Sequence, residues 1–351
     1  MTGLKNRSGR RSWRGAAGAI AGIVVMSLAA APALADPIAD FYSGKTVTLV
    51  VATPPGGPYD TYARILARHF GDHIPGHPTI VVENMAGATG MRAASYIFNV
   101  APQDGTVLGN LHNMIALIEA LGESNVKVDP AGFNWIGNMA REVGDVILAT
   151  STPVKTIEDA RHTVVVMGGA GPMALGAIYP RVMNRVLGTK FRLVTGYDGA
   201  NGVAHALEQG EVQGDAGDTW FSGQGRTYDW WKAGKIRVLV QIGTRSPDLP
   251  NVPLLPDLAR NDEERQLLEL FSTPYEVGKP TAVGPKVPQE RVAALRAAYD
   301  ATLADPALLA DAKKLGVTIA PASGQELTDL IKHLMGLPPA LLARAKAIAA
   351  P

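Results

Sequence analysis

Four times in this chain an apolar, β-branched run is followed by a glycine-bearing turn and then by an amphipathic stretch. The first instance is the clearest, since residues 46–64 read TVTLVVATPPGGPYDTYAR. Residues 46–51 have the composition of a buried strand, Pro54 to Pro58 interrupt it, and Tyr59 and Asp60 fall in the first turn of a helix that reaches about Phe70. A strand feeding a helix through a turn leaves the helix's first N–H groups without carbonyl partners, just beyond the strand's carboxyl end. Partial positive charge collects there and favours an anion.

The unit recurs as strand 79–83, turn 84–90 and helix 91–98. It recurs again as strand 163–167, turn 168–172 and a helix from Met173 that Pro180 kinks, and once more as strand 191–194, turn 195–199 and helix 200–209 closed by Gly210. Shorter strands are expected at 106–108, 135–137, 145–148 and 236–241, with helices at 115–121 and 156–161. A short strand is expected at 212–215, ending in Ala216-Gly217-Asp218-Thr219-Trp220. Residues 272–283 read as extended, and helices follow at 289–303, 306–315, 325–335 and 339–349.

Strands alternating with helices imply parallel pairing through right-handed crossovers, hence an α/β protein with mainly parallel sheets flanked by helices. A length of 351 residues exceeds one small core and predicts two lobes. The expected division is 36–140 with 275–351 as lobe I and 141–274 as lobe II, with hinge segments near 140 and 275.

Residues 1–35 stand apart as an expected signal peptide. Lys5, Arg7, Arg10, Arg11 and Arg14 give a basic start, 16–30 are apolar, and Ala33-Leu34-Ala35 supplies small residues for cleavage after Ala35. Export to the periplasm is expected. With the leader removed, Lys and Arg fall from 33 to 28 against 32 Asp and Glu, a net charge of about −4 that disfavours a nucleic-acid partner. The chain has no cysteine, which rules out disulfides, thiolate metal sites and a cysteine nucleophile.

In open α/β sheets ligands sit beyond the carboxyl ends of the strands, where the four turns lie. Glycine there also serves a tight connection for steric reasons alone, so one turn proves nothing and four together favour a site. No turn is a dinucleotide fingerprint, and Gly44-Lys45-Thr46 precedes its strand instead of following it, unlike a phosphate loop. Tyr59 and Trp220 flank strand ends, where an aromatic contacts a ligand or caps the core. Asp60 and Asp198 fit helix caps. Asp218 would repel an anion unless it accepts from a ligand hydroxyl, amine or protonated carboxyl. His69, His73 and His77 have four-residue spacing, but Pro75 and Gly76 end the helix before the third, so no metal is expected. No serine elbow, HExxH or SxxK motif occurs, no catalytic residue can be nominated, and no cofactor is expected.

PPGGPYDTYAR, VVENMAGATG, the turn APQDGT, and LVTGYDG followed by LEQGEVQG together resemble the extracytoplasmic receptors of tripartite tricarboxylate transporters, the Bug/TctC-like family, from about Phe41 to Met335. The resemblance implies a two-lobed periplasmic binding protein fold, type II-like, with the ligand cleft between lobes. It implies a receptor without catalysis, expected to be a monomer, that captures a small organic anion (a di- or tricarboxylate or aromatic acid) and delivers it to one large and one small membrane subunit. It assigns the carboxylate grip to Pro55, Gly56, Gly57, Tyr59 and Asp60 with Ala88, Thr89 and Gly90. From the second lobe it assigns Gly171, Pro172 and Met173, then Tyr197, Asp198 and Gly199, then Asp218 and Trp220. Many members have Tyr-Lys-Gly where this chain has Tyr197-Asp198-Gly199, and Phe-Asp-Asn where it has Gly217-Asp218-Thr219-Trp220. The alternatives kept open are a secreted α/β enzyme acting on a carboxylated or phosphorylated substrate and a sensor docking on a histidine kinase.

Overall fold

The computed structural model describes residues 36–123, 128–221 and 223–351, so the leader and its cleavage site lie outside the described residues. Eleven strands form two sheets among these residues. The first sheet contains β1 (Thr46–Val51), β2 (Thr79–Asn84), β3 (Val107–Asn110), β4 (Asn134–Asn138), β10 (Pro280–Val283) and β11 (Ala322–Ser323), in the order β11-β4-β10-β3-β1-β2. The second contains β5 (Val143–Ala149), β6 (Val165–Gly169), β7 (Phe191–Thr195), β8 (Gly214–Trp220) and β9 (Ile236–Gly243), in the order β7-β6-β8-β5-β9.

Both sheets are mixed. β1 runs parallel to β2 and β3, and β6 runs parallel to β7 and β8, as helical crossovers require. β10 is antiparallel to β3 and β4, β11 is antiparallel to β4, and β5 is antiparallel to β8 and β9. The antiparallel strands cluster where the chain passes between sheets, because β4 leads into β5 through only four residues and β10 brings the chain back. The expectation of mainly parallel sheets therefore held for the strand-turn-helix units and not for the strands beside the crossings.

Hydrophobic burial explains the layers. β1 buries Val47, Leu49, Val50 and Val51, and the helix Pro58–His73 lays Tyr62, Ala63, Ile65, Leu66 and Phe70 against it. The helix Gly199–Gln209 ends at Gly210 in the left-handed conformation. Pro180 sits inside the helix Leu175–Val182, whose next turn widens into a π-helix at Met183–Leu187. Proline supplies no N–H to the preceding turn, so the helix loses one of its bonds there.

Two expected segments differ. Residues 272–277 are not extended: they close the helix Asp262–Val277, so the boundary at 275 falls inside a helix and the crossing lies at Gly278 and Lys279. Burial of Leu267, Leu268, Leu270, Phe271, Tyr275 and Val277 outweighs the lost N–H of Pro274. Likewise the short strand expected at 212–215 runs on through Ala216 to Trp220, because β5 offers a ladder along that whole length: Val143 pairs with Trp220 and Leu148 with Gly214, around a bulge near Gly217.

Candidate functional site

Beyond β1, the loop 52–57 is shaped by Asp60. Its Oδ2 accepts from the Gly56 N–H at 2.9 Å and from Arg64 Nε at 2.9 Å, and its Oδ1 accepts from Asn84 Nδ2 at 2.9 Å. Asn84 also donates to the Thr53 carbonyl, so one buried carboxylate ties the first two turns together. The Arg64 guanidinium and these N–H groups hold Asp60 down at about 2. Asp60 and the Gly56 N–H are thereby committed within the protein, and Pro55 and Gly57 remain at the surface of the loop. The N–H groups of Tyr59 and Asp60 open the helix with no carbonyl in reach, as at any helix start.

Asp60→Asn is expected to remove about 2 kcal/mol of stability at pH 7. The folded pKa lies below the ordinary 3.8, so the contribution is full above that value and disappears as pH falls towards 2. Urea unfolding across this range should show a larger acid-side loss of stability in the parent protein than in the variant, because other carboxylates such as Asp104 and Asp311 are also held low and titrate in both.

Tyr59 is 8% exposed and does not present its hydroxyl to solvent. The hydroxyl donates to the Gly278 carbonyl at 3.2 Å and accepts from the Asn113 N–H at 2.9 Å, and the ring stacks on His112 at 5.1 Å. Of the two expectations for Tyr59, the core role matches this geometry. Burial, with Lys279 nearby, lowers His112 to about 4, so its imidazole is neutral at pH 7.

Among the described residues, the turn after β2 holds two of the three non-glycine residues with positive φ. Gly87, Ala88, Thr89 and Gly90 have φ of 136°, 48°, 51° and 84°. Alanine and threonine rarely occupy the left-handed region, which costs each about 1–2 kcal/mol, and such strain persists where surrounding structure imposes it. This tight left-handed turn takes its N–H groups off any local carbonyl ladder, and turn N–H groups left free in this way can make an anion nest. The N–H groups of Ala88 and Thr89 have no carbonyl partner among the described residues, both residues are exposed, and Gly90 is buried against His112.

In the second sheet, Gly171, Pro172 and Met173 form the turn after β6, with Pro172 and Met173 exposed and the Pro172 carbonyl held by Arg181. Tyr197, Asp198 and Gly199 follow the edge strand β7. Asp198 occupies the N-cap position, yet its side chain makes no capping bond, so the expected cap is positional only. Tyr197 packs partly on the core. Asp218 pairs with Arg226 at 3.4 Å inside β8. Trp220 is 4% exposed and belongs to an aromatic cluster with Tyr228 and Trp231, which again matches the core alternative. A cavity of about 210 Å³ lies between the starts of the helices Leu175–Val182 and Gly199–Gln209 and β8, with Ala170, Ala174, Ala200, Asp215 and Asp218 in its wall. Pro172, Met173, Tyr197 and Trp220 do not line it.

His69 and His73 pair separately with Asp311 and Asp305 at 3.1 and 2.9 Å. Among the described residues no group of three or more His, Cys, Asp or Glu converges as metal ligands do. Sequence reasoning missed Asn84, which links the loops, and Asp145 and Asp215, buried in the second sheet. Only Asp145 gave a signal, as the single charge in the strand text VGDVILA.

No family model matches the chain. It is 29% identical over 161 residues to the UPF0065 protein in the TAR-I ttuE-ttuC' intergenic region of Agrobacterium vitis, covering 44% of this chain and 46% of that protein. It is 28% identical over 250 residues to BugT of Bordetella pertussis, covering 67% and 72%. The chain thus spans about half the length of the first of these curated relatives. Among solved structures, a TctC solute-binding protein from Polaromonas superposes with a TM-score of 0.67 at 18% identity, covering 88% of this chain and 98% of that one. The periplasmic binding protein BugD gives 0.59 at 21%, covering 88% and 99%. MatC from Rhodopseudomonas palustris, solved with bound malate, gives 0.56 at 22%, covering 87% and 99%. At these identities the structures establish the fold.

Proposed function

We propose that this chain, which belongs to the Bug/TctC family of solute-binding proteins, captures a small organic carboxylate between two lobes and passes it to a membrane transporter. The carrying observation is the nest at 87–90, where the Ala88 and Thr89 N–H groups lack carbonyl partners, just past Asn84, whose side chain bonds Asp60 in the first turn of the helix Pro58–His73. Those two sets of backbone donors form the carboxylate grip. Asp60 and Asn84 fix the first loop before binding, and the Gly90 N–H to Gly87 carbonyl bond closes the second turn, so little ordering is required when the ligand arrives. The bound malate of MatC is the kind of ligand such a grip accepts.

The lobes are residues 36–140 with 278–351, and 141–277. Every strand of the first sheet falls in the former and every strand of the second in the latter. The protein works in the periplasm after removal of residues 1–35, as a monomer without catalysis, and delivers its ligand to one large and one small membrane subunit.

Thermal unfolding in the presence of mono-, di- and tricarboxylates, aromatic acids, a neutral sugar and simple cations tests this reading. A bound acid at 100 times its Kd adds about 2.7 kcal/mol and so raises Tm by several degrees. A protein stabilised by the sugar or a cation and by no organic acid is not a carboxylate receptor.

A further inference from the structure

β3 lies beside β1 and parallel to it, so the loop that follows β3, residues 111–114, emerges at the same carboxyl end of the sheet as the turns after β1 and β2. This third loop carries His112, which packs against both of the other turns. Its ring stacks on that of Tyr59, with centroids 5.1 Å and planes 17° apart. On the other turn, a Cβ added to Gly90 would come within 2.5 Å of the His112 Cβ, so only glycine at 90 lets the histidine approach so closely. Tyr59 carries one of the open N–H groups of the helix Pro58–His73, and Gly90 adjoins Thr89, whose N–H lacks a carbonyl partner.

The backbone fixes which ring nitrogen holds the proton. The Met114 N–H donates to His112 Nδ1 at 3.3 Å. Burial, and then the ammonium of Lys279, keep the imidazole neutral at pH 7, and Lys279 is itself committed to Glu142. A neutral ring has one proton, and with Nδ1 accepting, it resides on Nε2. That Nε2–H has no acceptor among the described residues, although the side chain is only partly exposed. Two further polar atoms at these strand ends are buried without partners: Asn110 Oδ1, in the last residue of β3, and Thr53 Oγ1, in the first turn. Unmet polar atoms gathered where three strand-end loops converge are what a cleft shows before its ligand enters.

A protonated Nε2 cannot ligate a metal, and what it lacks is an acceptor. A carboxylate oxygen is one, and a neutral donor receives it without a second charge having to be desolvated. We propose that His112 Nε2–H donates to the ligand carboxylate held by the Ala88 and Thr89 N–H groups, so that a side chain of the third loop completes the grip. This deepens the carboxylate reading and rests on it. No bond is made or broken and no proton is transferred.

Two substitutions separate donation from packing. His112→Phe keeps an aromatic ring against Tyr59 and Gly90 and removes the donor, whereas His112→Gln loses the ring and offers an amide N–H in place of Nε2–H. Each is first checked for an unfolding transition like the parent's. In calorimetric titration at pH 7 with malate, adipate, citrate and benzoate, every acid that binds the parent should bind His112→Phe about tenfold more weakly or worse, as the loss of one hydrogen bond to a charged group implies. His112→Gln should stay within about threefold of the parent. Long-range proton–nitrogen spectra of the parent's imidazole need no variant, and they decide if neither substitution folds. The free protein should show Nε2 protonated and Nδ1 bare, and the Nε2 proton should move downfield and saturate with the acid. Parental affinity in His112→Phe, a proton on Nδ1, or an Nε2 signal unmoved at saturation overturns this proposal and leaves the carboxylate reading standing. Binding of no acid overturns both.

Discussion

Replacing Lys279 with methionine is expected to lower the unfolding free energy by about 3–5 kcal/mol. Lys279 lies at the return crossing between the sheets, and its ammonium is 2.7 Å from Glu142 Oε1 at the outward crossing. Both side chains are nearly closed to solvent, at 5% and 8%. The ammonium also sits over the ring of Tyr59, 4.4 Å from its centroid, which adds a cation–π contact in a dry setting. Removing the lysine leaves the Glu142 carboxylate buried with no counter-charge, and that unpaired charge is the main loss. Lys279→Met combined with Glu142→Leu should recover most of it, since two apolar groups leave nothing to desolvate. Urea unfolding of the parent, the two single variants and the double variant measures this. A single variant within 1 kcal/mol of the parent would show that the pair is solvated in solution and does not tie the crossings together.

The second large effect is expected one residue earlier. Gly278 has φ 58° and ψ −110°, and a Cβ there would overlap the backbone carbonyl of Ala140. The obstacle is the other crossing strand and not a movable side chain, so relief requires the two crossings to separate. Gly278→Ala is therefore expected to cost about 3 kcal/mol or more, from left-handed strain together with overpacking. It should also weaken ligand binding. The Gly278 carbonyl accepts from Tyr59, whose hydroxyl in turn holds the Asn113 N–H, and Tyr59 opens the helix beside the nest. Gly278→Ala of parental stability and affinity would mean that the crossing geometry is loose.

The parts of the fold that could be read from the sequence are those whose signals are local. Each strand-turn-helix unit carries its periodicity and its glycine within about 25 residues, so β1, β2, β6, β7 and their helices emerged close to their observed limits. The helical state of residues 272–277 did not, because Pro274 is a local signal to stop and the apolar contacts that overrule it come from distant segments. β8 was read short for a related reason: Gly217 and Asp218 are poor strand formers, and what keeps them extended is the ladder to β5, 70 residues earlier.

The site divides along the same line. The loops could be located from the sequence, and the first of them proved to be organised by Asp60, one of the residues named for the grip. Which of its groups remain free could not be read, since Gly56 and Asp60 satisfy each other and Asn84 reaches across from the next strand. Tyr59 and Trp220 were open between ligand and core because an aromatic at a strand end fits both, and only three-dimensional packing distinguishes them. Asp145, Asp215 and Asp218 come together through β-ladder register alone. Lys279 and Glu142, 137 positions apart, left no trace in local pattern.

In the proposed grip, backbone N–H groups of two turns, and not a charged side chain, hold the ligand's carboxylate. Amide resonances of the isotope-labelled protein, followed while malate and then aspartate are added, test it most directly. The Ala88, Thr89, Tyr59 and Asp60 amide protons are expected to move downfield together and saturate with the calorimetric Kd. Saturable binding that leaves those four amides unmoved would contradict it.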